Sequence, residues 1–142
     1  MRKILITVAT IVSLQSLAQV NIPVEFNVNQ TAEVWIGRKF SYKSKGLVNP
    51  LRIKFDGTQL TVKYDNKATL YQTDVLDYKR IEQNSRGVTT KETLSLKVEN
   101  NGMIQYVLIE IDYSFGEMAI TLKIPEMNTA GQVIKYSLYS SI

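Results

Sequence analysis

The chain contains neither histidine nor cysteine. Without imidazole, no serine or cysteine nucleophile activated by histidine can be assembled. Without imidazole or thiolate, the usual sites for zinc, copper and haem iron are excluded, and no cofactor is expected. Proton transfer near neutral pH would fall to carboxylates, lysines or tyrosines with displaced pKa values. Disulfides are excluded too, so any folded domain must hold together by packing and backbone hydrogen bonds. Glycine is sparse: the seven residues Gly37, Gly46, Gly57, Gly87, Gly102, Gly116 and Gly131 are isolated from one another, and no phosphate-cradling loop can be read from them.

Long hydrophobic runs are also scarce. The one candidate is N-terminal, where Arg2 and Lys3 precede an apolar run from Ile4 to Leu14, followed by the small residues of Ser16-Leu17-Ala18. This order of basic, apolar and small-residue regions is that of a secretory signal peptide. The run falls short of the roughly 20 apolar residues of a membrane-spanning helix, so no integral span is expected. Cleavage after Ala18 or Gln19 would remove residues 1–19 and leave 123 of the 142 residues, a length suited to one domain. Export to the periplasm, cell surface or medium is the expectation, and the missing cysteine excludes a lipoprotein anchor. Losing Arg2 and Lys3 would lower the net charge from +4 to +2. That is too slight to argue for nucleic acid or acidic lipid.

What the chain does have, from residue 32 onward, is period two. Leu51-Arg52-Ile53-Lys54-Phe55 and Leu60-Thr61-Val62-Lys63-Tyr64 alternate around Asp56-Gly57-Thr58-Gln59, a hairpin with one apolar and one polar face. Leu94, Leu96 and Val98 alternate likewise before Asn100-Asn101-Gly102, and Met103–Tyr113 returns. On that return the apolar phase slips between Tyr106/Leu108 and Ile109/Ile111/Tyr113. Either a bulge near Leu108-Ile109 or a strand buried on both faces accounts for the slip. Met118, Ile120, Leu122 and Ile124 alternate up to Pro125, and Ile134, Tyr136 and Leu138 mark the apolar side of the last strand. Eight strands are expected, near 32–42, 50–56, 59–65, 69–82, 88–99, 103–113, 117–124 and 132–141, with a short helix over 74–84 as a minor alternative. Short links favour an antiparallel meander, closed as an eight-stranded barrel or split into a two-sheet sandwich. Residues 20–31 read as an extended lead-in, and 32–142 as a single all-β domain.

Candidate chemistry is thin. Glu110 and Asp112 share one face of a strand, at the spacing of a glycosidase acid pair, but a solvated polar face accounts for them as well. Asp65, Asp74 and Asp77 lack the dense Asp/Asn/Gly loop of a calcium site, and no metal site is expected. Arg38, Lys39, Lys43 and Lys45 interleave with Trp35, Phe40 and Tyr42. Single-stranded nucleic acid or polysaccharide binding uses such a mixture, but a lysine-guarded edge strand explains it too, and no nucleic-acid partner is expected. The eight tyrosines are the most suggestive feature. Turned inward in a barrel, Trp35, Tyr64, Tyr78, Tyr106 and Tyr136 would line a ligand pocket with apolar surface and hydroxyl donors.

The run LTVKYDNKATL at 60–70, the strand IEIDYSF and the closing IKYSLY resemble small exported β-domains of Bacteroidota-type bacteria, as does a leader ending in Ala-Gln. The resemblance implies provenance and no activity. By strand number the domain is similar to lipocalin-like barrels. The Gly-x-Trp signature of that group is absent, since Trp35 precedes Gly37. The functional expectation is a non-enzymatic binding module for a small apolar or amphipathic ligand. A protein- or glycan-binding envelope component and, remotely, a hydrolase built on Glu110 and Asp112 are the alternatives. A ligand cavity requires that Leu51, Ile53, Phe55, Leu60, Val62, Leu94, Leu96, Ile120 and Leu122 leave space inside.

Overall fold

A computed structural model describes residues 21–37, 42–64, 68–113 and 118–141. The expected signal segment, residues 1–19, and the basic residues Arg38 and Lys39 lie outside the described residues. Among the described residues there are nine strands and no helix. They are β1 (Val24–Trp35), β2 (Tyr42–Phe55), β3 (Gln59–Tyr64), β4 (Thr69–Asp74), β5 (Asp77–Ser85), β6 (Val88–Asn100), β7 (Met103–Asp112), β8 (Ala119–Met127) and β9 (Val133–Ser141). The segment expected as a loose lead-in is the first two-thirds of β1. There Val24, Phe26 and Val28 alternate with Glu25, Asn27 and Asn29 and face the core. The short helix considered over 74–84 is absent, because those residues end β4 and form most of β5.

All nine strands belong to one antiparallel sheet, in the order β4-β3-β2-β1-β9-β8-β7-β6-β5. The sheet is not closed into a barrel: β4 and β5 are its two edges. The pairing pattern nevertheless explains why eight strands were expected. β1 is antiparallel to both β2 and β9, and following the pairs outward makes β4 and β5 run the same way. The segment expected as one strand over 69–82 is therefore one line of chain, bent at Val75-Leu76. The bend is tied to both halves of the sheet, since Val75 N donates to Thr58 O and Leu76 N to Lys97 O, each at 2.8 Å.

The inner face carries the core. Leu51, Ile53, Phe55, Leu60 and Val62 from one half pack with Leu94, Leu96, Val98, Val107, Ile109, Ile111, Ile120 and Leu122 from the other, and all are buried. The rings of Phe55 and Tyr78 meet edge-on at 5.2 Å where the halves touch. Period two causes this arrangement: a strand with one apolar parity buries it only if something covers that face. Here the sheet curls over and covers itself.

The apolar phase of β7 does not slip. β6 and β7 stay in register from Lys91↔Asp112 to Asn100↔Met103, without a bulge. Val107, Ile109 and Ile111 face inward, while Tyr106 and Leu108 face outward, Tyr106 exposed and Leu108 half-buried. Neither a bulge nor burial on both faces is observed: the outer face of β7 carries apolar side chains that stay at least partly exposed. In the β2–β3 hairpin, Asp56 Oδ1 accepts hydrogen bonds from Thr58 N, Thr58 Oγ1 and Gln59 N at 2.8–3.0 Å, and Gly57 takes φ +101°. This turn chemistry is what Asp and Gly provide.

Ile109→Ala should cost about 2–5 kcal/mol of unfolding free energy, as for other fully buried aliphatic side chains, while Ile104→Ala on the outer face stays within about 0.5 kcal/mol. Urea unfolding of the two variants measures the contrast. The backbone hydrogen bonds from Thr58 and Gln59 hold the Asp56 carboxyl below its usual value of 3.8. Its stabilising effect is therefore present above that value and is lost as pH falls through the lower folded value. Asp56→Asn should show a smaller fall in urea midpoint between pH 6 and pH 3 than the parent protein.

Candidate functional site

Where the inner face stops being aliphatic, a pocket opens. The register of β1 shifts between Val28 and Gln30. Before the shift Val28 faces the core. After it, Thr31 lies opposite Tyr139, which in turn lies opposite the buried Leu122, so the inward parity changes from even to odd residues. Thr31 and Glu33 on β1, with Ser137 and Tyr139 on β9, thus occupy positions that large aliphatics fill elsewhere. Together with Leu47, Leu51, Tyr64 and Leu70 they border a pocket of about 460 Å³. Leu51 forms its buried floor.

The pocket's polar equipment comes from hydroxyls and one carboxylate. Burial raises the Tyr139 phenol above its usual value of 10.0, with Tyr64 and Glu33 adding to the effect. Glu33 is held from the side by Lys135, whose Nζ donates to Glu33 Oε2 at 2.9 Å and lies 3.5 Å from Glu126 Oε2. The same ammonium sits 4.8 Å from the centre of the Trp35 ring, a cation–π contact. Glu33 first, then Glu126, hold the Lys135 ammonium above its ordinary pKa.

The five aromatic residues expected to line one pocket do not converge. Tyr64 borders the pocket just described. Trp35 shares the inward parity of Glu33 but lies beyond it, under Lys135. Tyr78 packs against Phe55 and, with Tyr106, Ile81 and Lys97, borders a separate groove of about 400 Å³. Tyr106 projects from the outer face opposite Lys97. Tyr136 is on the outer face as well, opposite Pro125 and Val34. The apolar parity Tyr136/Leu138 of the last strand therefore faces outward. The reason is register: Leu122↔Tyr139 places the other parity inside. Tyr139, Thr31, Glu33 and Ser137 escaped the sequence reading because their parity reads as the polar one. The tyrosine spacing Tyr136–Tyr139, which puts one phenol on each face, is the signal that was available.

Of the remaining candidates, Asp65 lies outside the described residues, and three of the carboxylates have local partners. Glu110 lies on the outer face between Lys123 at 3.0 Å and Lys91 at 3.7 Å. Asp74 accepts from the Gln59 side chain, and Asp77 accepts from Tyr78 N. Among the described residues no group of three acidic, histidine or cysteine residues is placed to hold a metal ion. A buried polar knot also crosses three strands' worth of chain: Glu92, fully buried on β6, lies 3.0 Å from Arg80 Nε on β5 and accepts from Tyr113 Oη at 3.1 Å, just past β7. A buried carboxylate requires such partners. No protein-family model matches the chain, and neither does a curated protein or a solved structure.

Burial first, then the Glu92 charge, push the Tyr113 hydroxyl up to about 12. Because its folded value exceeds the usual 10.0, the stability it confers is complete below pH 10 and is lost as pH rises towards 12. Tyrosinate absorbance at 295 nm should show a component ionising only near pH 12, and Tyr113→Phe should remove it.

Proposed function

We propose that the chain is an exported, non-enzymatic binding module that holds a small amphipathic ligand on the concave face of its sheet, in the pocket between Leu51, Tyr64 and Tyr139. The observation that carries this reading is the change of lining at one place on an otherwise closed core. The nine residues whose packing decides whether space remains are buried or nearly so, with Leu51 alone among them facing the pocket. Beside it the wall is made of Leu47 and Leu70 on one side and, on the other, of Thr31, Glu33, Ser137 and Tyr139 interleaved with Ala32 and Leu138. A pocket of about 460 Å³ is in the range that takes one small molecule. An apolar floor with hydroxyls at the side suits a molecule with a hydrocarbon body and an uncharged hydrogen-bonding head. The ion pair with Lys135 already balances Glu33, which argues against a dedicated site for a charged head. A lipocalin-like mode of ligand holding, Bacteroidota-type provenance and release beyond the inner membrane are parts of this same proposal.

The second reading is an envelope component that binds a protein or glycan. It is favoured by the unpaired edges β4 and β5, because an open edge offers a row of backbone donors and acceptors.

Native mass spectrometry of the protein purified from its own host's envelope, without denaturation, tests the first reading. A reproducible small-molecule adduct is expected. Leu70→Trp, which places an indole at the pocket's exposed wall, should abolish the adduct without changing the fold. A bare mass, or an adduct indifferent to Leu70→Trp, overturns it.

A further inference from the structure

The edge strand β5 has properties that the pocket does not use. It is nine residues long, DYKRIEQNS, and none of them is buried. Its midpoint is Ile81, an isoleucine more than half exposed, at 53 %. Isolated edges are normally protected by a single sign of charge, an inserted proline or a bulge that turns them away. β5 has no proline, its register shift against β6 falls near its end, at Gln83/Asn84, and its charges cancel: Asp77 and Glu82 against Lys79 and Arg80. Like copies of this strand are therefore not kept apart by net charge.

Antiparallel pairing of β5 with a second β5 about a two-fold axis must bring residues whose numbers share a constant even sum opposite each other, because partners lie on the same face. The possible centres can be compared directly. Centring on Lys79, Arg80 or Glu82 sets that charge against its own copy. Centring on Tyr78 leaves only the three residues 77–79 within the strand, since the chain bends at Val75-Leu76. Centring on Gln83 pairs only residues 81–85, across the register shift at Gln83/Asn84, whereas centring on Ile81 uses all nine residues. It sets Ile81 against Ile81, brings Arg80, which also holds the buried Glu92 of its own copy, opposite Glu82 twice, and places Lys79 opposite Gln83. Opposite charges and apolar side chains directly across a strand pair are the favourable combinations, and like charges the unfavourable ones.

We infer that β5 is a homodimerisation edge, at which two copies of this chain join their sheets antiparallel about a two-fold axis through Ile81. The contact is isologous and self-limiting, since each copy has one such edge and pairing consumes it. Its size places it among the weak, reversible associations.

Sedimentation equilibrium of the protein purified from its host, followed from low to high micromolar concentration, should show a reversible monomer–dimer equilibrium. Ile81→Lys and Ile81→Glu each set a charge against its own copy, so each alone should weaken dimerisation by at least about tenfold. An equimolar mixture of the two variants should dimerise again, as a heterodimer, because lysine then faces glutamate. Ile81 is exposed, so both variants should keep the parent's far-ultraviolet circular dichroism. A parent protein that is monomeric throughout, a dimer indifferent to Ile81→Lys, or a mixture that stays monomeric would each overturn the assignment. None of these outcomes bears on the small-molecule adduct, so this inference and the proposed function fail separately.

Discussion

The contact between two rows of inward side chains, Leu51-Ile53-Phe55 on one half of the sheet and Leu94-Leu96 with Ile109 on the other, is what the rest of the molecule depends on. No disulfide supports it, because the chain has no cysteine, and among the described residues no helix covers the sheet. An antiparallel sheet with one apolar face must bury that face or lose the main term favouring folding. This sheet has only itself to use, and it curls until its halves meet. The two-residue bend at Val75-Leu76 follows from that requirement. A line of chain that pairs with β3 in its first part and with β6 in its second must turn between them, and the hydrogen bonds to Thr58 and Lys97 hold the turn.

The same constraint locates the chemistry. A pocket appears where the inner face changes from branched aliphatics to Thr31, Glu33, Ser137 and Tyr139, downstream of the register shift in β1. The buried Glu92 is tolerated because Arg80 and Tyr113 reach it from neighbouring chain. The open edges have a related origin. β4 and β5 are successive parts of one line of chain, each paired on one side only, so curling closes the core without closing the hydrogen-bond ladder. The pocket and the open β5 edge are thus both places where the self-covering of the sheet is incomplete.

Much of this was legible in the residues. The alternation of Leu51 to Phe55 and of Leu60 to Tyr64, with Asp56-Gly57 between them, specified a hairpin that is present with its turn hydrogen bonds. Leu94, Leu96 and Val98 named the inward face of β6. The start of the sheet was not legible, because Val24-Glu25-Phe26-Asn27-Val28 is short, follows Pro23 and lies among Asn21, Asn27 and Asn29, a residue type poor in strands. What decides it is pairing with Leu51 to Phe55, a partner far along the chain. Parity in β9 was misleading for a similar reason. Ile134, Tyr136 and Leu138 form the more apolar set, but pairing with β8 turns Ser137 and Tyr139 inward. Tyr136 therefore lies on the face opposite to the one expected, and Tyr139 takes the inward position. Barrel closure depends on whether one line of chain, pairing with β3 in its first part and β6 in its second, stays continuous or breaks at Val75-Leu76, and no local pattern encodes that.

The central claim is that both halves of the sheet share one core and stand or fall together. Native-state hydrogen exchange, measured as a function of urea for backbone amides of β2–β3 and of β6–β7, tests it most directly. The slowest amides near Ile53 and near Ile109 should exchange through the same opening, with free energies within about 1 kcal/mol and equal urea dependence. Amides of one half exchanging through a separate opening, several kcal/mol lower than that of the other, would contradict it.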